Sequence, residues 1–185
     1  MPPIVLTFAA SDPTGGAGLQ ADLLTLAALG CHPLSVLTGL TVQDTTGVEH
    51  LETIAADLVT RQASRVLAET KVAAFKVGVL GSADNVRAVA AIAAAHPQVP
   101  LVLDPVLASG RGDPLASDAV LKALLELLVP RATVVTPNSI EAAQLAKGRD
   151  VPEAARAAQE FTWQALAAGF RSGAGQSLPN RFFTR

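Results

Sequence analysis

The sequence has 185 residues, of which 50% are apolar and 16% are charged, and its formal net charge is −2. This length suits one domain, and the apolar content excludes a disordered chain and allows a large buried core. The basic residues form no stripe and few residues are aromatic, so we expect neither a nucleic acid nor a membrane as a partner. The expected ligand is a small molecule.

The opening segment and the cysteine content both bear on the compartment of the protein. The stretch "PPIVLTFAAS" is apolar, but it lacks the positive charges of a signal peptide and the length of a membrane span, so it is interpreted as a strand. The one cysteine, Cys31, cannot form a disulfide within the chain. These observations favour a cytoplasmic protein.

Apolar runs alternate with helical patterns over the first 147 residues. After a strand at residues 4–9, a glycine-rich turn leads into a helix that starts near Leu19 and stops at Gly30. Further strands are predicted at residues 33–43, 73–81, 100–106 and 132–138, and helices at residues 55–69, 84–95, 117–128 and from Ser139 onward. This alternation predicts an α/β fold, with a mostly parallel sheet flanked by helices.

Ligands of such sheets bind beyond the carboxyl ends of the strands. The polar residues predicted at those ends, in strand order, are Ser11 and Asp12, then Gln43 and Asp44, then Lys76, then Asp104, and last Thr136 and Asn138. We therefore expect one site that gathers side chains from all five predicted strands.

The turn "SDPTGGAGLQADL" places Gly15, Gly16 and Gly18 where a helix begins. Glycine lowers helix propensity by about 1 kcal/mol relative to alanine, so this choice indicates either a tight turn with close packing or a ligand that approaches the backbone. The stretch matches neither G-x-G-x-x-G nor a P-loop. Asp22 follows in the helix, either as an acceptor for a substrate donor or as an acid favoured by the helix dipole.

Two polar residues belong to otherwise apolar strands. Gln43 ends the second strand, and its amide offers the donor and the acceptor needed to bind the edge of an aminopyrimidine-like ring. Lys76 interrupts the apolar stretch "AAFKVGVLG", which indicates either an anionic ligand or a buried salt bridge.

Three further residues have the chemistry of a metal or phosphate site. Asp104 in "LDPV" ends an apolar strand and offers the oxygen that Mg²⁺ prefers, although a turn made with Pro105 is the alternative. Asn138 and Glu141 stand three residues apart at a helix start, where both side chains reach one spot, but the same spacing is that of a capping box. The three histidines do not have metal-ligand spacing.

Five segments together closely resemble the hydroxymethylpyrimidine/phosphomethylpyrimidine kinases of thiamin biosynthesis, which belong to the ribokinase-like superfamily. They are "AASDPTGGAGLQADL", "LTVQDTTGV", "FKVGVLG", "LVLDPVLASGRGDPL" and "VVTPNSIEAAQL". The resemblance is continuous over residues 4–147 and implies one ribokinase-like kinase domain over residues 1–185. It implies phosphorylation of 4-amino-5-hydroxymethyl-2-methylpyrimidine and of its monophosphate, with ATP and Mg²⁺. A pyridoxine-type kinase is an alternative on the same architecture.

The resemblance also implies roles for individual residues. Gly15, Gly16 and Gly18 would lie close to the pyrimidine, and Asp22 and Gln43 would contact it. The residues that would face the ATP phosphates are Lys76, which supports catalysis, Asn138 and Glu141, and those that would hold Mg²⁺ are Asp104 and Glu141. Kinases of this kind often pair, so the resemblance implies a homodimer.

The sequence departs from the family after Lys147. The family continues there with further strands and a Gly-Thr-Gly-Cys type of turn, which forms the anion hole for the transferred phosphoryl group, and this sequence has no such turn. Residues 160–185 instead resemble the family's C-terminal helix and tail, so the C-terminal part is incomplete, with an internal gap near residues 148–160. Loss of one anion-hole donor slows a reaction by about 10²- to 10³-fold, so we expect impaired activity. The alternative is a catalytically inactive pyrimidine-binding or interaction module. The gap would also remove elements that cover the sheet, so we expect lower stability and self-association.

Overall fold

The computed structural model describes residues 1–109, 112–138, 141 and 145 of the chain. The predicted gap near residues 148–160 and the segment at residues 160–185 lie outside the described residues. None of the helices in the described part is long and apolar enough to cross a membrane.

Up to residue 138, the described part of the chain contains six strands and four α-helices. The strands are β1 (Ile4–Ser11), β2 (His32–Gln43), β3 (Val48–Thr53), β4 (Ala74–Val77), β5 (Leu101–Leu103) and β6 (Val134–Val135). The helices are α1 (Gly18–Ala28), α2 (Ala56–Leu67), α3 (Ala83–Ala95) and α4 (Asp118–Ala123), and a π-helical turn (Leu124–Leu128) and a 3₁₀ turn (Val129–Arg131) follow α4. Glu141 and Leu145 are helical, where the sequence predicts a helix from Ser139.

The strands form one sheet in the order β3-β2-β1-β4-β5-β6. All neighbouring pairs are parallel except β2 and β3, which are antiparallel. The mostly parallel sheet flanked by helices is therefore confirmed. The chain order reverses between β1 and β4, and such a switch point opens a crevice at the carboxyl ends of the strands.

Strand β3 is absent from the sequence prediction. Val48 and Leu51 are its only large apolar residues, so the strand has no alternating apolar pattern. The register between β2 and β3 also shifts between Val42 and Gln43, which breaks the regular pairing. The signal that identifies this hairpin is its connection at residues 44–47, "DTTG", which has the Asp and Gly of a tight turn.

The main core lies between one face of the sheet and helices α2, α3 and α4. It contains, from the central strands, Leu6, Phe8, Phe75, Val77, Leu101 and Leu103. The rings of Phe8 and Phe75 pack edge to face, with centroids 5.9 Å apart. Because side chains alternate along a strand, Thr7 and Lys76 point to the opposite face, which α1 covers.

Asn85 of α3 joins three elements beside this core. It is 0% exposed, and its amide nitrogen lies 3.2 Å from the carbonyl oxygen of Thr38, 3.1 Å from that of Ile54 and 2.8 Å from that of Leu80. One side chain thus fixes the start of α3 to β2, to the residue after β3 and to the loop after β4.

Candidate functional site

A cleft of about 600 Å³ lies at the carboxyl ends of the strands, where β1 and β4 separate. This volume falls within the range of about 300 to 1,000 Å³ that is usual for small-molecule sites. Helix α1, the turn between β2 and β3, and the loops after β4 and β5 form its walls. The predicted residues that line it are, from the strand ends, Ser11, Asp12, Gln43, Asp44, Lys76, Asp104 and Thr136, and, from the turn and helix α1, Gly18 and Asp22.

The turn before α1 is organised by the carboxylate of Asp12. Asp12 is only 3% exposed, and its carboxylate accepts hydrogen bonds from the backbone N–H groups of Thr14 and Ala17, at 2.8 and 2.7 Å. The side chain of Gln20 accepts a further bond from the Asp12 N–H, at 2.9 Å. Sequence analysis places Asp12 at a strand end without giving it this role, although an Asp two residues before its backbone donor is typical of such a turn.

Two glycines of this turn are required by its backbone. Gly15 and Gly18 have φ angles of +72° and +57°, in the left-handed region that glycine favours. A Cβ atom at Gly18 would also lie 2.5 Å from the carbonyl oxygen of Ala10, whereas one at Gly15 would meet nothing within 4 Å. Among the described residues, Gly18 lines the cleft and Gly15 and Gly16 do not. The tight turn thus accounts for Gly15 and Gly18, and only Gly18 brings bare backbone to the cleft.

Lys76 lies at the base of the cleft between two carboxylates. Its ammonium is 2.9 Å from Oδ1 of Asp22 and 3.7 Å from Oδ2 of Asp104. The side chains of Lys76, Asp22 and Asp104 are 21%, 13% and 36% exposed, so Asp104 is the most open of the three to a ligand. The sequence indicates either an anionic ligand or a buried salt bridge for Lys76, and the structure shows a partly buried salt bridge.

Thr7 and Gly78 determine how Asp22 and Lys76 are placed in the cleft. The hydroxyl of Thr7 on β1 donates a hydrogen bond to Oδ2 of Asp22, at 2.7 Å. A Cβ atom at Gly78 would lie 2.9 Å from the Lys76 nitrogen, so a glycine there leaves room for the ammonium. The sequence pattern marks neither residue, because a threonine within a strand and a glycine just after one are common for other reasons.

The charges shift the protonation of Lys76 and Asp104. Burial alone lowers the pKa of Lys76, but the carboxylates of Asp22 and Asp104 outweigh it, so this pKa lies above its ordinary value. Burial raises the pKa of Asp104, and Asp22 adds to the rise, while Lys76 opposes it. The group therefore holds a firmly protonated lysine beside a carboxylate whose charge is not fully compensated.

The turn between β2 and β3 forms another wall of the cleft. Gln43, the last residue of β2, lines the cleft there, and Oδ1 of Asp44 accepts bonds from the N–H groups of Thr46 and Gly47 within the turn. This turn contacts the loop after β5, because Oδ2 of Asp113 accepts a bond from the Val48 N–H at 3.2 Å.

Asn138 and Glu141 bind each other at the start of the last helix. The Asn138 N–H donates to Oε2 of Glu141 and the Glu141 N–H donates to Oδ1 of Asn138, both at 2.9 Å, which is a capping box. Oε1 of Glu141 accepts a third bond, from the Leu107 N–H in the loop after β5. Burial raises the pKa of Glu141, which is 5% exposed. Neither residue is among the described residues that line the cleft.

The donor set indicates what kind of cation site the cleft offers. No group of three His, Cys, Asp or Glu within the described residues is arranged to hold a metal ion. Mg²⁺ usually takes one or two carboxylates and completes its shell with waters and substrate phosphates, so the carboxylate of Asp104 alone fits it. The oxygens of Glu141 already bind backbone N–H groups.

Comparison with known proteins decides the family. The family model described as phosphomethylpyrimidine kinase matches residues 12–145. The chain belongs to the phosphomethylpyrimidine kinase family. A hydroxymethylpyrimidine/phosphomethylpyrimidine kinase of Streptomyces coelicolor is 41% identical over 179 residues, which cover 93% of this chain and 66% of that protein. The family predicted from the sequence is confirmed.

Solved structures agree with this family and its fold. The phosphomethylpyrimidine kinase of Clostridium difficile superposes with a TM-score of 0.74 and 33% identity, covering 80% of this chain and 64% of that one. The pyridoxal kinase of Staphylococcus aureus in complex with AMP-PCP and pyridoxal gives a TM-score of 0.82 at 21% identity, over 100% of this chain and 96% of that one, which shows the shared fold alone. The chain spans less than two thirds of the length of the Streptomyces and Clostridium family members.

Proposed function

We propose that this chain binds 4-amino-5-hydroxymethyl-2-methylpyrimidine and its monophosphate in the cleft and phosphorylates them with ATP. The observation that carries the proposal is the position of Lys76, an ammonium held by Asp22 in a small-molecule cleft that Gln43 also lines. The names of the family relatives support the substrate class.

Recognition of the pyrimidine falls to three residues in this proposal. The Gln43 amide can donate to a ring nitrogen or accept from the exocyclic amine. A carboxylate has about four acceptor positions, so Asp22 can accept from the substrate as well as from Thr7 and Lys76. Gly18 allows the flat ring to approach the backbone of the turn.

Phosphoryl transfer needs positioned charge more than covalent chemistry. Lys76 offsets negative charge on the transferred group, while its bond to Asp22 fixes its location. Asp104 would hold Mg²⁺, and the ion, when bound, neutralises charge on the nucleotide phosphates. Glu141 acts indirectly in this proposal, because its bond to Leu107 fixes the loop that follows Asp104.

A pyrimidine-binding module that does not turn over is the second candidate. It is favoured by the cysteine content, because Cys31 precedes β2 at the amino end of the sheet, on the border opposite the cleft. The sequence thus supplies no cysteine at the cleft, and it has no Gly-Thr-Gly-Cys turn. On this basis we expect turnover well below the range of about 1 to 100 s⁻¹ that is typical of kinases.

Calorimetry and a coupled ADP-release assay test the proposal together. We expect the pyrimidine to bind the wild-type chain and Gln43→Leu to weaken that binding while Mg-ATP binding is retained. Asp104→Asn should weaken Mg-ATP and spare the pyrimidine, and Glu49→Gln on the exposed edge of β3 is the control.

Three outcomes separate the candidates. Binding with slow ADP release supports an impaired kinase, whereas binding of the pyrimidine with no release identifies the binding module. Tighter binding of pyridoxine than of the pyrimidine would contradict the proposed substrate. Size-exclusion chromatography at several concentrations tests the homodimer.

A further inference from the structure

Thr7 carries a buried hydroxyl group on the face of β1 that α1 covers, with Lys76 as its partner on β4. It is 0% exposed, and its neighbours on the same face of β1, Val5 and Ala9, are buried and apolar. Burying a hydroxyl is unfavourable unless it forms a hydrogen bond, and valine would fill the same space without that cost. The hydroxyl therefore matters through its bond partner, Oδ2 of Asp22 at 2.7 Å.

That bond holds Oδ2 of the Asp22 carboxylate, and Oδ1 of the same carboxylate binds Lys76. Oδ1 of Asp22 lies 2.9 Å from the ammonium, and the ammonium lies 3.7 Å from Asp104. A carboxylate held at both oxygens cannot rotate, whereas one held at a single oxygen can. Three successive contacts thus connect the hydroxyl of Thr7, through Asp22 and Lys76, to Asp104, the most exposed of these charged side chains.

We propose that Thr7 is a positioning residue of the cleft: it locks the Asp22 carboxylate so that Lys76 stays with Asp22 and Asp104 stays available to a ligand. The effect on substrate rests on the proposed function, whereas the effect on Lys76 does not. Without the hydroxyl, Asp22 turns, and the ammonium gains freedom to move toward Asp104.

The test compares Thr7→Val, which keeps the shape and removes the hydroxyl, with Thr7→Ser, which keeps the hydroxyl. Thr38→Val is the matched control, because Thr38 is also 0% exposed and its hydroxyl donates to a backbone carbonyl, that of Val79. Any general cost of removing a buried hydroxyl appears in both valine variants.

The first measurement needs no ligand. In protein labelled with ¹³C at lysine Cε, a side chain held in one conformation shows two distinct Cε proton shifts, and a freely rotating one shows an averaged pair. The Lys76 signal is identified by its loss in Lys76→Met. We expect distinct shifts in the wild type, Thr7→Ser and Thr38→Val, and averaging in Thr7→Val.

The second measurement is pyrimidine affinity. Loss of a hydrogen bond to a charged group corresponds to about a tenfold to hundredfold change, so Thr7→Val should bind that much more weakly. Thr7→Ser and Thr38→Val should stay within about threefold of the wild type.

The two measurements separate this inference from the proposed function. If the wild type does not bind the pyrimidine, the proposed function fails, and the Cε shifts alone decide the role of Thr7. Unchanged Cε shifts in Thr7→Val would overturn the inference. It is also overturned if the wild type binds the pyrimidine and Thr7→Val binds it equally well, or if Thr38→Val loses as much affinity.

Discussion

Asp22 of α1 and Lys76 of β4 meet in an ion pair 2.9 Å long, with the two side chains 13% and 21% exposed. Breaking a fully buried pair costs about 3 to 5 kcal/mol, because it leaves a buried charge without its partner. The cleft admits some water here, so we expect Lys76→Met to lower the free energy of unfolding by about 2 kcal/mol. Urea unfolding measures this, with the exposed Lys71→Met as the control; equal losses in the two variants would contradict the ion pair's contribution.

The raised pKa of Lys76 predicts a loss of stability in alkali. Its stabilising effect is fully present below 10.5, the ordinary lysine pKa, and is lost as the pH rises through the higher pKa of the folded state. The difference in unfolding free energy between the wild type and Lys76→Met should therefore be constant to about pH 10 and shrink above it. The chain contains no tyrosine, so no phenol titrates in this window. A difference that stays constant to about pH 12 would refute the raised pKa.

The raised pKa of Asp104 predicts a loss of stability with rising pH in the acid range. Burial raises its pKa above the ordinary 3.8, so folding disfavours its charged form, and its contribution to stability falls as the pH rises from 3.8 through the pKa of the folded state. Asp104→Asn removes that charge and should gain stability relative to the wild type as the pH rises through this window. Urea unfolding of both proteins between about pH 3.5 and pH 7 measures the difference, and a gain that does not grow with pH would count against it.

Gly15 and Gly18 form a matched pair for a test of the turn before α1. Both have a left-handed backbone, but only at Gly18 would a Cβ atom meet backbone, at 2.5 Å. The left-handed conformation alone costs a residue with a side chain about 1 to 2 kcal/mol, so Gly15→Ala should lose about that much. Gly18→Ala should lose at least about 1 kcal/mol more, since the backbone has to move. Chemical unfolding of both variants decides this, and equal losses would show that the contact relaxes.

Asn85→Ala tests the connection between α3 and the sheet. The change removes the donor from the carbonyl groups of Ile54 and Leu80, while the Thr38 carbonyl keeps the Ile54 N–H at 2.9 Å. Each group left unpaired costs about 1 to 3 kcal/mol, so we expect a loss of about 3 kcal/mol in unfolding free energy. Asn85→Asp keeps the shape but turns oxygen toward the carbonyls, and it should be at least as destabilising at neutral pH. A stability loss below about 1 kcal/mol in both variants would contradict this role.

The sequence predicts those features of the fold and the site that have a local pattern. Strong apolar runs identify the parallel strands, and a lysine or aspartate that interrupts or ends such a run marks Lys76 and Asp104. Thr7 and Asn85 have no such mark, because threonine is frequent in strands and asparagine is frequent near helix starts. Their roles depend on partners that no local pattern marks: the Asp22 side chain for Thr7, and three backbone carbonyl groups for Asn85. Spacing alone also does not distinguish a phosphate-binding role of Glu141 from a role in a capping box, because both place it three residues after Asn138.

The reversed strand β3 also determines how the sheet meets other chains. Within the described residues it forms the border next to β2, and it carries Glu49, His50 and Glu52 exposed along only six residues. A strand from a second molecule that joined this border would have to displace water from those polar side chains. The molecule therefore resists fibre-like growth from this side, in spite of the exposed Leu40 and Val42 on the neighbouring strand.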